Sequence, residues 1–340
     1  MASYHTIKKA HHGGREPTFF EFATVMAFNE FAGQNVDWAV IETGMGGRLD
    51  ATNIVRPKVS IITNISLEHR DYLGNTLEQI SAEKAGIIKY RTPVITGIRQ
   101  PKALAVVKSK AAEKSAPLYR FGKDFKVRRN PAGTFAYHGI EATWRHLQTG
   151  LSGNHQVDNA ALILAACETL NKKGADISLD QIKAGLLKNR WPGRLEEIAT
   201  EPRIILDGAH NFIAARNLGR FLSRNYIDRK ITMVIGILDD KPYNAMLKCL
   251  LPTAHRVILT RAKINRAMEP AGLEPIARKI TPNVKIVPDV KQALEIAIKT
   301  TSKKDIICVA GSLYVVGEAK EALDGSEFNV QGSKVKVCLL

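Results

Sequence analysis

Apolar, β-branched runs alternate with helical segments along this 340-residue chain, and that alternation predicts an α/β fold built on mostly parallel sheets. Two further observations divide it in two. The length suffices for about two domains, each with its own core. The run Trp191-Pro-Gly-Arg194 interrupts the pattern, and a fresh strand–helix alternation begins after it.

In chain order, residues 1–16 carry His-His-Gly-Gly without periodicity and read as a leader. Thr18 with Glu21 forms a capping-box pattern that opens a helix to about Ala32. Val36–Ile41 is apolar and β-branched enough for a buried strand, and further strands are expected near 58–64 and 93–97. A helix is expected from Thr76 to Gly86, a short β excursion over 117–147, and helices over 159–170 and 178–189. Beyond the Trp-Pro-Gly-Arg run, strands are expected at 203–207, 231–237, 255–260, 284–287 and 306–309. The domain division follows as 17–192 and 193–340.

Composition narrows the function. No apolar run approaches the ~18 residues that cross a bilayer, and no secretory h-region is visible at the start. Cys167, Cys249, Cys308 and Cys338 are scattered without metal spacing, which suits a reducing cytoplasm. A net charge of +16 suits anionic small molecules better than nucleic acid, because the lysines are spread out and aromatics make up only 6%.

The chemistry concentrates where strands end. Val36–Ile41 runs into Glu42, then three glycines within four positions, Arg48 and Asp50. Glycines permit a sharp turn and close backbone approach, and the carboxyl end of a parallel strand is where open α/β sheets bind ligands. The strand Ser60–Ile65 leads to His69, at the same edge of the sheet. In the helix from Thr76, Lys84 falls on the apolar stripe with Leu77, Ile80 and Ser81. Such a lysine either snorkels outward or, desolvated, offers a neutral amine. That amine can take up carbon dioxide as a carbamate, an anionic ligand. Glu42, His69 and a modified Lys84 would then suit Mg²⁺, with the histidine the less usual donor.

Six motifs occur in order: ETGMGGRLDATN, HRDYLGNTLEQISAEKAGIIK, GNHQVDNAA, RWPGRLE, LDGAHN and GSLYVVGE. Together, over about residues 16–320, they resemble the folylpolyglutamate synthase / dihydrofolate synthase family of Mur-type ATP-dependent amino-acid ligases. The resemblance implies a P-loop-type central α/β domain followed by a Rossmann-like C-terminal domain, with the active site in the cleft between them. It implies that Glu42 and His69 ligate Mg²⁺, that Lys84 is the carbamylated lysine, and that Asn159, Arg194 and Asp207 hold ATP. It places His210, Ser312 and Tyr314 near the incoming L-glutamate, with Asp50 positioning the folate or the loop before it. The implied reaction converts a carboxylate of folate or dihydropteroate into an acyl phosphate, which the glutamate amine then attacks. Both steps build negative charge that a metal ion and cationic groups stabilise.

Two departures stand out. No G-x-x-x-x-G-K-[ST] phosphate loop or shortened form of it occurs in the 340 residues, and the leader resembles none of it. Glu68 stands where many relatives have Asp. The central domain is therefore expected to be incomplete, N-terminally truncated, with apolar faces exposed where strands are missing. The leading expectation is a folate ligase of this family whose activity as a single chain is in doubt. The alternative is a non-catalytic fragment, or the nucleotide- or folate-binding half of a split ligase completed by an N-terminal fragment. A Mur-type peptidoglycan ligase fits less well, lacking here the extra UDP-binding domain.

Overall fold

In the computed structural model, residues 15–131 and 133–324 are described, together with the backbone of 329–330 and 333–334. Residues 1–14 of the leader, and Cys338, lie outside the described residues. Two compact units emerge: residues 1–148 with 157–185, and residues 149–156 with 186–340.

The first unit opens with helix α1 (Phe19–Gly33). Its capping box is formed as expected: Glu21 N–H donates to the Thr18 hydroxyl, and the Glu21 carboxylate accepts from Thr18 N–H at 2.7 Å. The expected strand at 36–42 is not formed. Residues 38–43 have no regular secondary structure, and among the described residues none of 37–43 enters a ladder or a backbone hydrogen bond. Val36, Trp38 and Val40 are 43%, 55% and 99% exposed, and Phe19 of α1 is 90% exposed. A β-branched run supplies propensity, but a strand exists only when a neighbour satisfies its backbone.

The parallel sheet of this unit has the order β1 (Ser60–Ile62), β2 (Val94–Thr96), β3 (Leu118–Arg120). Helix α2 (Arg70–Leu73) follows His69, and α3 (Leu77–Ala85) begins with a second capping box, Thr76 with Gln79. Helix α4 (Pro101–Glu113) buries Ala103, Val107 and Ala111 in a core shared with Ile62, Ile80, Ile88 and Val94. The β excursion divides: its first strand, β3, joins the parallel sheet, while β4 (Lys126–Arg129), β5 (Phe135–His138) and β6 (Thr143–Leu147) form an antiparallel sheet. Tyr137 of β5 is fully buried and donates its hydroxyl to Glu168 at 2.9 Å, in α5 (Asn154–Asn171). Three backbone N–H groups, of Ile140, Glu141 and Ala142, complete the shell of that carboxylate. Helix α6 (Leu179–Lys188) comes next in the chain.

In the second unit a six-stranded sheet runs in the order β11 (Val284–Ile286), β10 (Arg256–Leu259), β9 (Ile231–Ile235), β12 (Ile306–Ala310), β8 (Arg203–Asp207), β7 (Glu196–Thr200). All pairings are parallel except that of β7, an antiparallel edge strand the periodicity did not reveal. Helices α7 (Phe212–Asn225), α8 (Tyr243–Leu250) and α9 (Pro270–Ile280) bury residues of one apolar cluster. Helices α10 (Val290–Thr300) and α11 (Leu313–Asp324) do so in the other. Strands β9 and β12 are buried at every residue, as parallel strands covered on both faces must be. No helix among the described residues is long and apolar enough to cross a membrane.

Candidate active site

In the first unit, the glycine-rich turn after Glu42 packs against the helix that carries Lys84. A Cβ on Gly47 would lie 2.9 Å from the Glu83 carbonyl and 3.0 Å from that of Lys84, and one on Gly86 would meet the Arg48 Cα at 2.4 Å. Gly46 has φ +67, and a side chain there would strike Leu73 of α2. Three segments therefore converge: the turn, the helix after His69, and the C-terminal half of α3. Arg48 locks the arrangement, its N–H donating to the Glu83 carbonyl at 2.8 Å and its guanidinium to the Glu83 carboxylate at 2.9 Å. Arg48 stands out in the sequence beside the glycines, but its partner Glu83 does not, because 35 residues separate the two.

Asp50 fastens the same turn. Its carboxylate accepts from Met45 N–H at 2.8 Å, Thr52 N–H at 3.0 Å and the Thr52 hydroxyl, and so caps the 3₁₀ turn Ala51–Ile54. Burial pushes its pKa up, yet the bonds from Thr52 and Met45 prevail and hold it below the usual aspartate value. This supports the loop-positioning part of its expected role.

Glu42 and His69 are exposed, His69 in the left-handed region at φ +50, and Lys84 is half-buried beside the buried Ile80, Ser81 and Ala85. Among the described residues no group of three His, Cys, Asp or Glu side chains is gathered for a metal ion. A Mg²⁺ ion usually keeps several waters and takes only one or two carboxylates plus phosphate oxygens. One carboxylate, one imidazole and, were it carbamylated, Lys84 would suit a Mg²⁺ that arrives with a nucleotide better than a resident ion. Asn159 lies exposed in the second turn of α5.

In the second unit, the residues singled out from sequence meet at the carboxyl ends of β8 and β12. β12 lies between β8 and β9 in the sheet, where the strand order reverses. Asp207 ends β8, 7% exposed, and accepts from Leu195 N–H and Ala209 N–H, each at 2.9 Å. Burial drives its pKa up to about 6, against the opposing pull of the Leu195 N–H, the Arg194 charge and the Ala209 N–H. The Trp-Pro-Gly-Arg loop is stitched to the same strand end by Gly208 N–H donating to the Gly193 carbonyl at 2.6 Å. Glu196, unremarked from sequence, braces this loop: it accepts from Gly193 N–H at 2.7 Å and pairs with Lys320 at 2.5 Å.

The half-buried His210 follows, with Nδ1 2.7 Å from the Gly208 carbonyl. A carbonyl only accepts, so Nδ1 carries the proton and a neutral ring keeps Nε2 as the acceptor. Ser312 is 1% exposed and its hydroxyl accepts from Tyr314 N–H at 3.2 Å, while the Tyr314 ring is half exposed. Gly311, at φ +103, turns β12 towards that serine, and a Cβ there would lie 2.5 Å from the Gly236 carbonyl. The buried Ser312 holds the turn, and Tyr314 is the member of that pair with surface to offer.

Comparison with known proteins matches residues 5–167 to the Mur ligase middle domain and residues 193–313 to the Mur ligase glutamate ligase domain. The dihydrofolate synthase/folylpolyglutamate synthase of Bacillus subtilis is 36% identical over 314 residues, covering 91% of this chain and 73% of its own length. The Lacticaseibacillus casei folylpolyglutamate synthase is 33% identical, with 91% and 72% covered. Among solved structures, Escherichia coli FolC in complex with DHPP and ADP superposes with a TM-score of 0.87 at 31% identity, over 95% of this chain and 75% of that one. The Yersinia pestis bifunctional enzyme complexed with AMPPNP and a Mn ion gives 0.84 at 31% identity, again over 95% and 75%. The chain belongs to the dihydrofolate synthase/folylpolyglutamate synthase family of Mur ligases.

Proposed function

We propose that this chain, as a member of that family, is an ATP-dependent ligase that joins L-glutamate to folate or dihydropteroate through an acyl phosphate. The observation that carries the reading is the cluster at the ends of β8 and β12, where a buried aspartate, an oriented histidine and Tyr314 lie on adjoining strand ends. In this reading Asn159, Arg194 and Asp207 are nucleotide-binding residues. His210 Nε2 takes the proton that the glutamate ammonium must lose before it attacks, and Tyr314 and Ser312 border the glutamate.

Glu42, His69 and the carbamate of Lys84 are the residues that would hold Mg²⁺, which when bound neutralises charge developing on the transferred phosphoryl group. Asp50 and the Arg48–Glu83 pair keep the glycine-rich turn in place for that task. The net charge of +16 suits substrates carrying several carboxylates and phosphates. A cytoplasmic location belongs to the same proposal, in keeping with the free thiols of Cys167, Cys249 and Cys308. Completion by a separate polypeptide that brings a phosphate loop is a finer proposal, motivated by the absence of that motif from these 340 residues.

Titration of MgATP into the purified chain, followed by ADP release with folate and glutamate, tests the reading. Glutamate-dependent ADP release is expected. Absence of release, both alone and with a phosphate-loop polypeptide added, overturns it.

A further inference from the structure

A groove of about 560 Å³ opens in the first unit, at the carboxyl ends of β2 and β3. That volume is in the range of small-ligand sites, and the carboxyl edge of a parallel sheet is where such sites form. Its floor is apolar, with Ile98, Leu104, Phe121 and Val127, and its rim is cationic. Arg99 and Arg129 both reach Asp158, one on each carboxylate oxygen, and Arg99 lies 5.1 Å over the Phe121 ring. Lys123, exposed on the turn between β3 and β4, and Lys126, exposed at the start of β4, form no ion pair among the described residues.

We infer that this groove binds an extended polycarboxylate, the γ-glutamyl tail of the folate substrate, an inference that rests on the ligase reading above. The wall is already matched to carboxylate, because two guanidinium groups there hold Asp158. The cations are spread over the β2–α4 connection, the turn and β4, whereas a phosphate site gathers its donors on one helix N-terminus or backbone nest. Each γ-glutamyl unit carries two methylenes in its backbone and one carboxylate beside it. An apolar floor beneath a cationic rim suits that alternation, with the chain's methylenes along Phe121 and Val127 and its carboxylates towards Lys123 and Lys126.

Two measurements on the full chain test this. The first is direct binding of a free γ-linked glutamate oligomer of about five residues, to the parent and to the K123A/K126A double variant, at low and high salt. Exposed charge pairs each contribute a fraction of a kcal/mol, so the double variant should bind about three- to tenfold more weakly and lose most of its salt dependence. The second is ligation of folates with one and with several glutamates. The variant should raise KM for the long-tailed substrate by the same factor and leave kcat and the monoglutamate KM unchanged. Equal oligomer binding by parent and variant overturns the proposal, as does displacement of the oligomer by ATP or inorganic phosphate at equal potency. Because oligomer binding requires no turnover, a chain that binds the oligomer but ligates nothing, alone or with a phosphate-loop polypeptide added, would overturn the ligase reading and leave the polycarboxylate site standing.

Discussion

The two units differ in how completely their sheets are covered. In the second, all five residues of β9 and of β12 are buried, and helices pack on both sheet faces. In the first, the parallel sheet has three strands of three residues, β1 has no partner on its outer side among the described residues, and Val36, Trp38 and Val40 lie exposed. Similar β-branched stretches thus end in opposite environments. Parallel strands are stable when neighbours cover both faces and satisfy both edges, and Val36–Ile41 has propensity without a ladder partner among the described residues.

The largest effect expected concerns the chemistry of the first unit. Lys84→Ala should lower ligase turnover by about a hundredfold or more, the scale of losing a group that acts on transition-state charge. Short carboxylates should restore part of it if a carbamate is the working form. Its circular dichroism should match the parent's, since Lys84 forms no ion pair among the described residues. Full activity in this variant removes Lys84 from the site.

Next comes the core of the second unit. Leu206→Ala deletes a fully buried side chain in a well-covered strand and should cost about 2–5 kcal/mol in denaturant unfolding. A cost below about 1 kcal/mol would mean that this sheet is no better packed than the first unit's.

Asp207→Asn should change the pH dependence. The folded-state pKa is raised from 3.8 to about 6, so the folded state holds the proton more tightly than the unfolded chain. The cost of ionising it is absent below the unfolded value, grows as pH rises across that window, and is complete above about 6. Stability of the parent should therefore carry a downward slope there that the variant lacks. The variant also loses one acceptor for Leu195 or Ala209, about 1–3 kcal/mol at acidic pH. Parallel stability curves for the two proteins would place the titration elsewhere.

The smallest effect should come from Val40→Ser. At 99% exposure the side chain buries nothing, so stability should move by no more than about 0.5 kcal/mol. A loss of 2 kcal/mol or more would show that residues 36–41 are covered in solution, and the contrast between the units would fall.

Local chemistry made much of the fold legible. Thr18 with Glu21, and Thr76 with Gln79, start helices wherever they occur, because both partners lie within one turn. The five parallel strands of the second unit are apolar enough to announce themselves. Strand β7, by contrast, reads Glu-Glu-Ile-Ala-Thr and owes its existence to pairing with β8 at the sheet edge. Candidate site residues stand out in the sequence where they sit in compact motifs, as with Asp207 and His210. The braces Arg48–Glu83 and Glu196–Lys320 join residues 35 and 124 apart, and no local pattern records such a pair.

The sequence by itself determined the α/β class, the family and the glycine positions that let backbones touch, and it put forward the residues proposed for metal, nucleotide and glutamate. Tertiary structure alone decided which β-branched runs became strands, that Asp207 sits in an environment raising its pKa to about 6, and that Asp50 fastens a turn. The physical reason is that propensity and motif are properties of a few neighbouring residues. Ladder pairing, desolvation and long-range ion pairs depend on what the rest of the chain brings alongside.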